Sequence, residues 1–326
     1  MLLRAVRALA VIARLVDRRR QTSPRVSPRD ASVRRALRRS RSPAGLRRLF
    51  DSLDPKDWAE RFFHVDALAR ALPAATVQEW ARQEPESADA QLLLGARRIE
   101  QGWEARGRGS EVSEAQWEEC TRHLEAATDA LRRASELSPQ DPTPWALRLT
   151  VDTLTSSSDE VRFQHFFEAA RRDPEHWAAH LNMVFALTRK WGSTHDEMWT
   201  FARRAAYGAR PGSDIPMILV RAHLEYWLYL DLFEERPQQA TEFLKDEKVQ
   251  EEILYCYDRS LAHPDHVECQ TTVFARILAA SWFWLVCDRA RLRRELLALG
   301  PAIQEADWAV FPGEGELAKA RKWAGV

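Results

Sequence analysis

Residues 127–139 read ATDALRRASELSP, and this stretch decides the fold class. Ala127, Leu131 and Ala134 follow one another at intervals of four and three residues, which places them on one face of a helix. Small residues on that face let a second helix approach closely, whereas Pro139 cannot continue a helix and ends this one within about a turn. The stretch therefore predicts the second helix of a closely packed helical pair.

An alanine followed five residues later by a proline occurs repeatedly along the chain. The instances are Ala134 with Pro139, Ala169 with Pro174 and Ala206 with Pro211. Their prolines are 35 and 37 residues apart, close to the ~34 residues of a tetratricopeptide repeat. The series also takes in Pro85, Pro264 and Pro301, with two longer intervals of 54 and 53 residues. The longer intervals imply extended helices or an inserted turn.

The first helix of each pair has its own signature. Leu94 and Gly95 stand at the paired large and small positions of a helix predicted over residues 88–105, and residues 113–137 form its partner. After this pair, Trp145 stands where the next first helix should present its large packing residue. These positions keep a common register, so each helix pair is expected to pack against the next.

The pattern from residue 46 onward is helix after helix, without strand-like alternation. We therefore predict an all-α fold, an α-solenoid of antiparallel, tetratricopeptide-like helix pairs with a basic N-terminal extension. The predicted domains are a basic amphipathic helix with an Arg/Ser/Pro-rich disordered linker over residues 1–44, and a helical repeat domain over residues 45–326. The most apolar stretch, residues 273–287, is shorter than a membrane-spanning helix and contains Arg276, so it predicts a buried core helix.

The formal net charge of zero conceals an uneven distribution of charge. Residues 1–50 contain 15 arginines against Asp17 and Asp30, and the rest of the chain is correspondingly acidic. An arginine-rich segment can contact anionic lipid or nucleic acid. The residues expected to do so are Arg4, Arg7, Arg14, Arg18, Arg19 and Arg20. The alternatives are a helix that docks on the acidic body, or an upstream start codon that over-extends the protein.

Four short segments hold the most distinctive residues between positions 75 and 230. They are Leu94-Gly95, GWEARG at 102–107, DPEHWAAH at 173–180 and KWGS at 190–193. Together they resemble an uncharacterised bacterial family of tetratricopeptide-like proteins. The resemblance implies a helical repeat fold, and it brings no catalytic residues because no activity is established for that family.

Sequence motifs for chemistry are few: glycine-rich phosphate loops, nucleophile elbows and the HExxH zinc signature are all absent. Two groups of residues have metal-ligand types, namely His176 with His180, and Cys256, His263, His266 and Cys269. In the second group, a helix from Asp265 would place His266 and Cys269 on one face. The alternatives are two partly exposed helix histidines beside Trp177, and a helix-end pair with two buried thiols. We predict no cofactor and no enzymatic activity.

Tryptophan is abundant, at 13 residues, and most of these rings are expected to fill the space between helices. Trp145, Trp177 and Trp191 are candidates for anchoring a partner, with Trp191 favoured because it precedes Gly192 at a helix end. The sequence therefore predicts a cytoplasmic, non-catalytic scaffold that binds a peptide or helix in the groove of a repeat array. The alternative is a peripheral membrane or nucleic-acid adaptor recruited through the Arg-rich N-terminus.

Overall fold

A computed structural model of the chain describes residues 42–107, 112–303, 308 and 315–326. These residues form α-helices joined by short turns, and no β-strand occurs among them. The prediction of an all-α fold is confirmed for this part of the chain. None of its helices combines the length and the apolar character needed to cross a bilayer. Outside the described residues lie nearly all of the predicted segment 1–44 and the predicted contacts of Arg4, Arg7, Arg14, Arg18, Arg19 and Arg20.

The described residues group into two compact units, a division that we did not predict from the sequence. The first unit comprises residues 42–107 and 112–193. Its helices are α1 (Pro43–Phe50), α2 (Trp58–Ala71), α3 (Ala74–Gln83), α4 (Ala88–Arg106), α5 (Glu114–Leu137), α6 (Thr143–Leu154), α7 (Asp159–Ala170) and α8 (Trp177–Ala186), followed by a short 3-10 turn, Arg189–Trp191.

Helices α4 and α5 pack along their length as an antiparallel hairpin. Gly95 of α4 faces Leu131 and Ala127 of α5, and two turns later Gly102 faces Leu124. A Cβ atom added to Gly95 would lie 2.6 Å from Leu131 Cδ2, so only glycine permits this approach without rearrangement. The close packing follows from the small residues that marked this helix pair in the sequence.

The ends of these helices follow local rules. Ser113 caps α5 in a capping box with Gln116, which satisfies two backbone N–H groups at the start of the helix. The hydroxyl of Ser158 caps α7 in the same position. The helices end at Leu137 and Ala170, and Pro139 and Pro174 lie in the turns that follow. The helices predicted over residues 88–105 and 113–137 are thereby confirmed.

Neighbours in the chain are neighbours in space within the first unit. Helix α4 contacts α5 and α6, and α6 in turn contacts α7 and α8. Ala134 on α5 and Ala169 on α7 are both buried, as their predicted packing role requires. Two consecutive helix pairs, α4/α5 and α6/α7, therefore lie against each other.

The second unit comprises residues 194–303, 308 and 315–326 of the described chain. Its helices are α9 (His195–Gly208), α10 (Met217–Leu228), a π-helical turn (Tyr229–Phe233), α11 (Pro237–Lys245), α12 (Glu247–Arg259), α13 (Thr272–Leu285), α14 (Arg289–Leu299), a 3-10 turn (Gly300–Ala302) and α15 (Glu316–Ala324). Ala206 is buried on α9, and Pro211 lies in the turn after that helix. Helix α13 confirms the buried helix predicted within residues 273–287, although the helix ends at Leu285 and Cys287 is exposed.

A buried ion pair joins three helices of the second unit. Glu295 on α14 is fully buried and accepts hydrogen bonds from Arg276 Nη1 on α13, at 2.6 Å, and from Tyr257 Oη on α12, at 2.5 Å. A buried carboxylate without such partners would be costly. The sequence of α13 therefore carries one charged residue in an otherwise apolar helix because that charge has a buried counterpart.

Candidate functional site

The three tryptophans predicted to anchor a partner have different surroundings. Trp177, the first residue of α8, is 3% exposed, because the chain turns it into the core of the first unit immediately after the cap at His176. A ring enclosed in this way offers no face to a partner. The structure gives no support to Trp177 as an anchor and places it among the packing residues.

Trp191 is half-buried at the end of the 3-10 turn. Its ring lies edge-on to Trp103, with centroids 6.2 Å apart, and beside Phe185 at 5.8 Å. Its carbonyl oxygen accepts a hydrogen bond from Arg162 Nη2 at 3.2 Å. The ring therefore takes part in internal aromatic packing, and its predicted role as a rim contact stays a prediction.

Trp145 is half-buried in the first turn of α6, where two arginines lie over its ring and the ring of His165 lies beside it, with centres 5.9 Å apart. The guanidinium carbon of Arg148 lies 4.8 Å from the centre of its ring, and that of Arg172 lies 5.1 Å away. Arg172 is held in place by bonds from Nε to Pro139 O, at 2.6 Å, and from Nη1 to Glu168 Oε2, at 2.7 Å. The indole Nε1 is buried and has no hydrogen-bond partner among the described residues.

Arg148 differs from its neighbours because no carboxylate in the described chain forms an ion pair with it. Its Nε atom is buried and unpaired. Burial lowers the pKa of Arg148, and the negative charge of nearby Asp152 opposes that change. A half-buried guanidinium without a counter-ion is unfavourable. It therefore marks a place where an anion would be stabilised.

Asp152, the carboxylate whose charge acts most strongly on Arg148, is engaged elsewhere. Its Oδ2 lies 2.6 Å from His165 Nδ1, and its Oδ1 accepts a hydrogen bond from Ser157 Oγ at 3.4 Å. A carboxylate–histidine pair of this kind orients a catalytic base in many hydrolases. Here the serine hydroxyl bonds to the carboxylate rather than to the imidazole, so the nucleophile–base hydrogen bond of such enzymes is not formed.

His176 and His180 are both buried. The alternative to a metal site, in which they are partly exposed, is therefore wrong about their exposure. His176 caps α8, where its Nδ1 accepts a hydrogen bond from Ala179 N at 3.3 Å. His180 Nδ1 lies 3.1 Å from His176 O, and its ring packs edge-on against Phe166. Burial lowers the pKa of His176 to about 3, so this ring is neutral at pH 7. Both Nδ1 atoms are used within the protein, which favours a packing role over a metal site.

The residues of the second predicted metal group do not share a helix. The predicted helix from Asp265 is wrong, because residues 266–269 form an irregular segment and α13 begins at Thr272. His266 Nδ1 donates to Gly212 O at 2.9 Å, and His263 Nδ1 accepts from Asp265 N at 3.2 Å.

The two cysteines of this group lie in different environments. Cys256 is fully buried on α12, where burial and the Glu252 carboxylate raise the pKa of its thiol to about 12. The expectation of two buried thiols is wrong for Cys269, which is exposed, with its thiol 3.6 Å from Asp214 Oδ2. Across the described ranges, no group of three or more His, Cys, Asp or Glu side chains is arranged to hold a metal ion.

A group of aromatic rings in the second unit has no counterpart among our predictions. Tyr226 stands at its centre, with ring centres 4.7 Å from Trp199, 4.9 Å from His195 and 5.0 Å from Phe243. The adjoining π-helical turn is a form often found at functional sites. The rings come from three helices, with only His195 and Trp199 on the same one, so the sequence gives no local sign of the whole group. Their tilted and edge-on contacts are those of ordinary aromatic packing.

Beside these rings, one carboxylate joins three helices of the second unit. Glu252 on α12 lies 2.8 Å from His223 Nε2 on α10, and it accepts hydrogen bonds from Arg203 Nε, at 2.8 Å, and Tyr207 Oη, at 2.5 Å, on α9. Burial alone would raise the pKa of Glu252, but these three hydrogen bonds outweigh it and hold the pKa well below its usual range. Because His223 is 1% exposed, this network is a structural link rather than a substrate site.

The chain matches no protein-family model, no curated protein and no solved structure. The resemblance to an uncharacterised family of tetratricopeptide-like proteins therefore stays a prediction. The arrangement around Trp145 and Arg148 remains the candidate site, on the strength of its geometry.

Proposed function

We propose that this protein is a non-catalytic interaction scaffold of tetratricopeptide-like helix pairs that binds a peptide or a helix. The proposal is supported by the contacts between α4, α5, α6 and α7, in which consecutive helix pairs pack on one another. It is also supported by the small residues at the closest approach of α4 and α5. Stacked pairs of this kind leave a continuous surface that suits an extended ligand.

The observation that carries the proposal is the half-buried indole of Trp145 with an unpaired arginine on its face. Tryptophan and arginine are the residue types most enriched among the contacts that dominate binding energy. Trp145 presents a large rigid surface, and Arg148 supplies donors that the described protein leaves unused. A peptide that covers Trp145 would bury the remaining surface of its ring and bring a hydrogen-bond acceptor to Arg148.

A peptide-display selection on the full-length chain tests this function, followed by fluorescence anisotropy with the enriched peptides. Trp145→Ala should weaken their binding by about thirtyfold or more, the size expected for a central contact. Trp323→Ala is the control, because Trp323 is 36% exposed and its ring lies edge-on to Trp284, 5.7 Å away, rather than beneath an arginine. Failure to enrich any peptide, or equal effects of the two substitutions, would refute the scaffold function at this site.

A second proposal is that the chain acts as a peripheral membrane or nucleic-acid adaptor through its Arg-rich N-terminus. Its support is the concentration of 15 arginines in the first 50 residues. Binding of the full-length chain to anionic liposomes or to duplex DNA should then fall steeply with added salt. Replacing Arg18, Arg19 and Arg20 with glutamine should weaken it, and salt-independent binding would exclude this adaptor role.

A further inference from the structure

We infer that the partner is an acidic peptide, one of whose side-chain carboxylates pairs with Arg148 beside the indole of Trp145. This inference rests on the proposed scaffold function and specifies the chemistry of its ligand. Its structural basis is a half-buried guanidinium that forms no ion pair in the described chain and lies over the indole ring of the residue one turn earlier on α6.

The carboxylates around Arg148 are already used by other groups. Asp152 binds His165 at 2.6 Å, and Glu136 on α5 binds Arg132, also at 2.6 Å. Glu168 on α7 is held by Arg171 and Arg172. Arg148 is therefore left without an ion pair in the described protein, although several acids lie on the helices around it.

A carboxylate arriving from outside would meet the two terminal nitrogens of Arg148, whereas Arg148 Nε and Trp145 Nε1 are enclosed by the protein. A guanidinium binds a carboxylate through two parallel hydrogen bonds, and such charged bonds are among the strongest in proteins. Trp145 fixes the position of Arg148 through the contact of its ring with the guanidinium at 4.8 Å. The site needs little rearrangement to bind, so the entropic cost of ordering it is low.

The surrounding charges favour a carboxylate over a phosphate. Arg148 is the one unpaired guanidinium on this indole, because Arg172 is engaged by Pro139 O and Glu168. The charges of Asp152 and Glu136 also reach Arg148 and would repel a doubly charged phosphate more than a singly charged carboxylate.

The test uses the full-length chain and labelled peptides enriched on it, each made in three forms. The acidic form keeps its Asp and Glu residues, the amide form carries Asn and Gln at those positions, and the third form carries phosphoserine. We expect the amide form to bind at least about tenfold more weakly than the acidic form, since a charged hydrogen-bonded pair is lost. In Arg148→Gln this difference should fall to about twofold or less, because the pairing group has been removed.

Further variants keep the outcome interpretable if Arg148→Gln folds poorly. Arg148→Lys retains the charge without the paired geometry and should bind the acidic form with intermediate strength. Arg122→Gln is the control, because Arg122 is a 69%-exposed arginine on α5 that pairs with Glu119, and it should leave the acid-to-amide difference unchanged. Thermal unfolding of each variant verifies that it is folded.

The possible results separate the two proposals. If Trp145→Ala abolishes binding while the acid-to-amide difference is the same in Arg148→Gln as in the native chain, the scaffold function stands and the acidic ligand is wrong. Tighter binding of the phosphoserine form, or of single-stranded DNA, would likewise overturn the carboxylate assignment. If no peptide is enriched at all, both proposals fail.

Discussion

The packing of α4 on α5 makes a quantitative prediction for Gly95→Ala. The new methyl group would lie 2.6 Å from Leu131 Cδ2 and 2.7 Å from Leu131 Cγ, well inside the ~3.5–4.0 Å of an ordinary carbon contact. Leu131 is fully buried, so it cannot move aside without displacing other core residues. Overpacking of this kind costs ~1–3 kcal/mol.

Gly102→Ala is the matched control because it separates packing from helix propensity. Both glycines lie inside α4, so each substitution gains the same ~1 kcal/mol of helix propensity. A Cβ at Gly102 would lie 3.2 Å from Leu124 Cδ2, a tight contact but one that a small shift relieves. The propensity gain cancels in the comparison, so we expect Gly95→Ala to be less stable than Gly102→Ala by ~1–2 kcal/mol.

Urea unfolding followed by far-ultraviolet circular dichroism measures this difference, with the slope of the transition checked for constancy between variants. A double-mutant cycle with Leu131→Ala then identifies the clashing side chain. Once Leu131 is shortened, Gly95→Ala should stabilise the protein through propensity alone. Equal stabilities for the Gly95 and Gly102 variants, or an unchanged cost of Gly95→Ala in the Leu131→Ala background, would contradict the packing described for this hairpin.

Two further predictions concern pH. Glu252→Gln should destabilise the protein at pH 7 by ~3 kcal/mol, because it removes the charge that binds His223 and Arg203. The pKa of Glu252 is depressed in the folded state, so the stability lost in Glu252→Gln should be largest above ~4.3, the pKa of a glutamate in the unfolded chain, and should shrink as the pH falls below that value. A loss of stability that does not depend on pH would rule out the ionic link. His176, whose pKa of about 3 lies below its ordinary 6.5, stays neutral while the unfolded chain takes up a proton, so native stability should fall as the pH drops below 6.5. His176→Asn keeps an acceptor for Ala179 N. It should reduce the slope of the unfolding free energy against pH by up to ~1.4 kcal/mol per pH unit, as measured by urea unfolding at a series of acid pH values. An unaltered slope would show that His176 is already protonated or exposed in the folded protein.

Helix positions in the first unit were accessible from the sequence because they depend on local interactions. The serine cap at Ser113 and the proline stop at Pro139 act within a turn of the helix they delimit. Ala127, Leu131 and Ala134 recur with the helical period, so the face that they share is visible without a structure. Local rules therefore predicted the helices and the contact between α4 and α5.

The irregular segment before α13 shows why a local reading fails elsewhere. Gly212 adopts φ +80°, and a Cβ there would lie 2.9 Å from the backbone of Asp265, so the two backbones are in direct contact. The carbonyl of Gly212 also binds His266 at 2.9 Å. These contacts join residues more than fifty positions apart and hold the segment out of a helix. No periodicity in the sequence reports such a partner.

The candidate site was only partly accessible from the sequence. Trp145 was identified as a large packing residue and a possible anchor, and Arg148 follows it at helical spacing. The absence of an ion pair at Arg148 depends on His165 engaging Asp152 from the neighbouring helix, which only the structure reveals. The same limit explains Trp177, since the sequence cannot distinguish a ring directed to the core from one at the surface.

The positions of the cysteines provide a means of observing each unit separately. Cys120 lies fully buried in the first unit and Cys256 in the second, whereas Cys269 and Cys287 are exposed. With the two exposed thiols replaced by serine, alkylation of Cys120 or Cys256 requires the surrounding helices to open. Mass spectrometry of the labelled peptides would then give an opening rate for each unit in the same molecule. The chain thus carries its own pair of reporters for local unfolding.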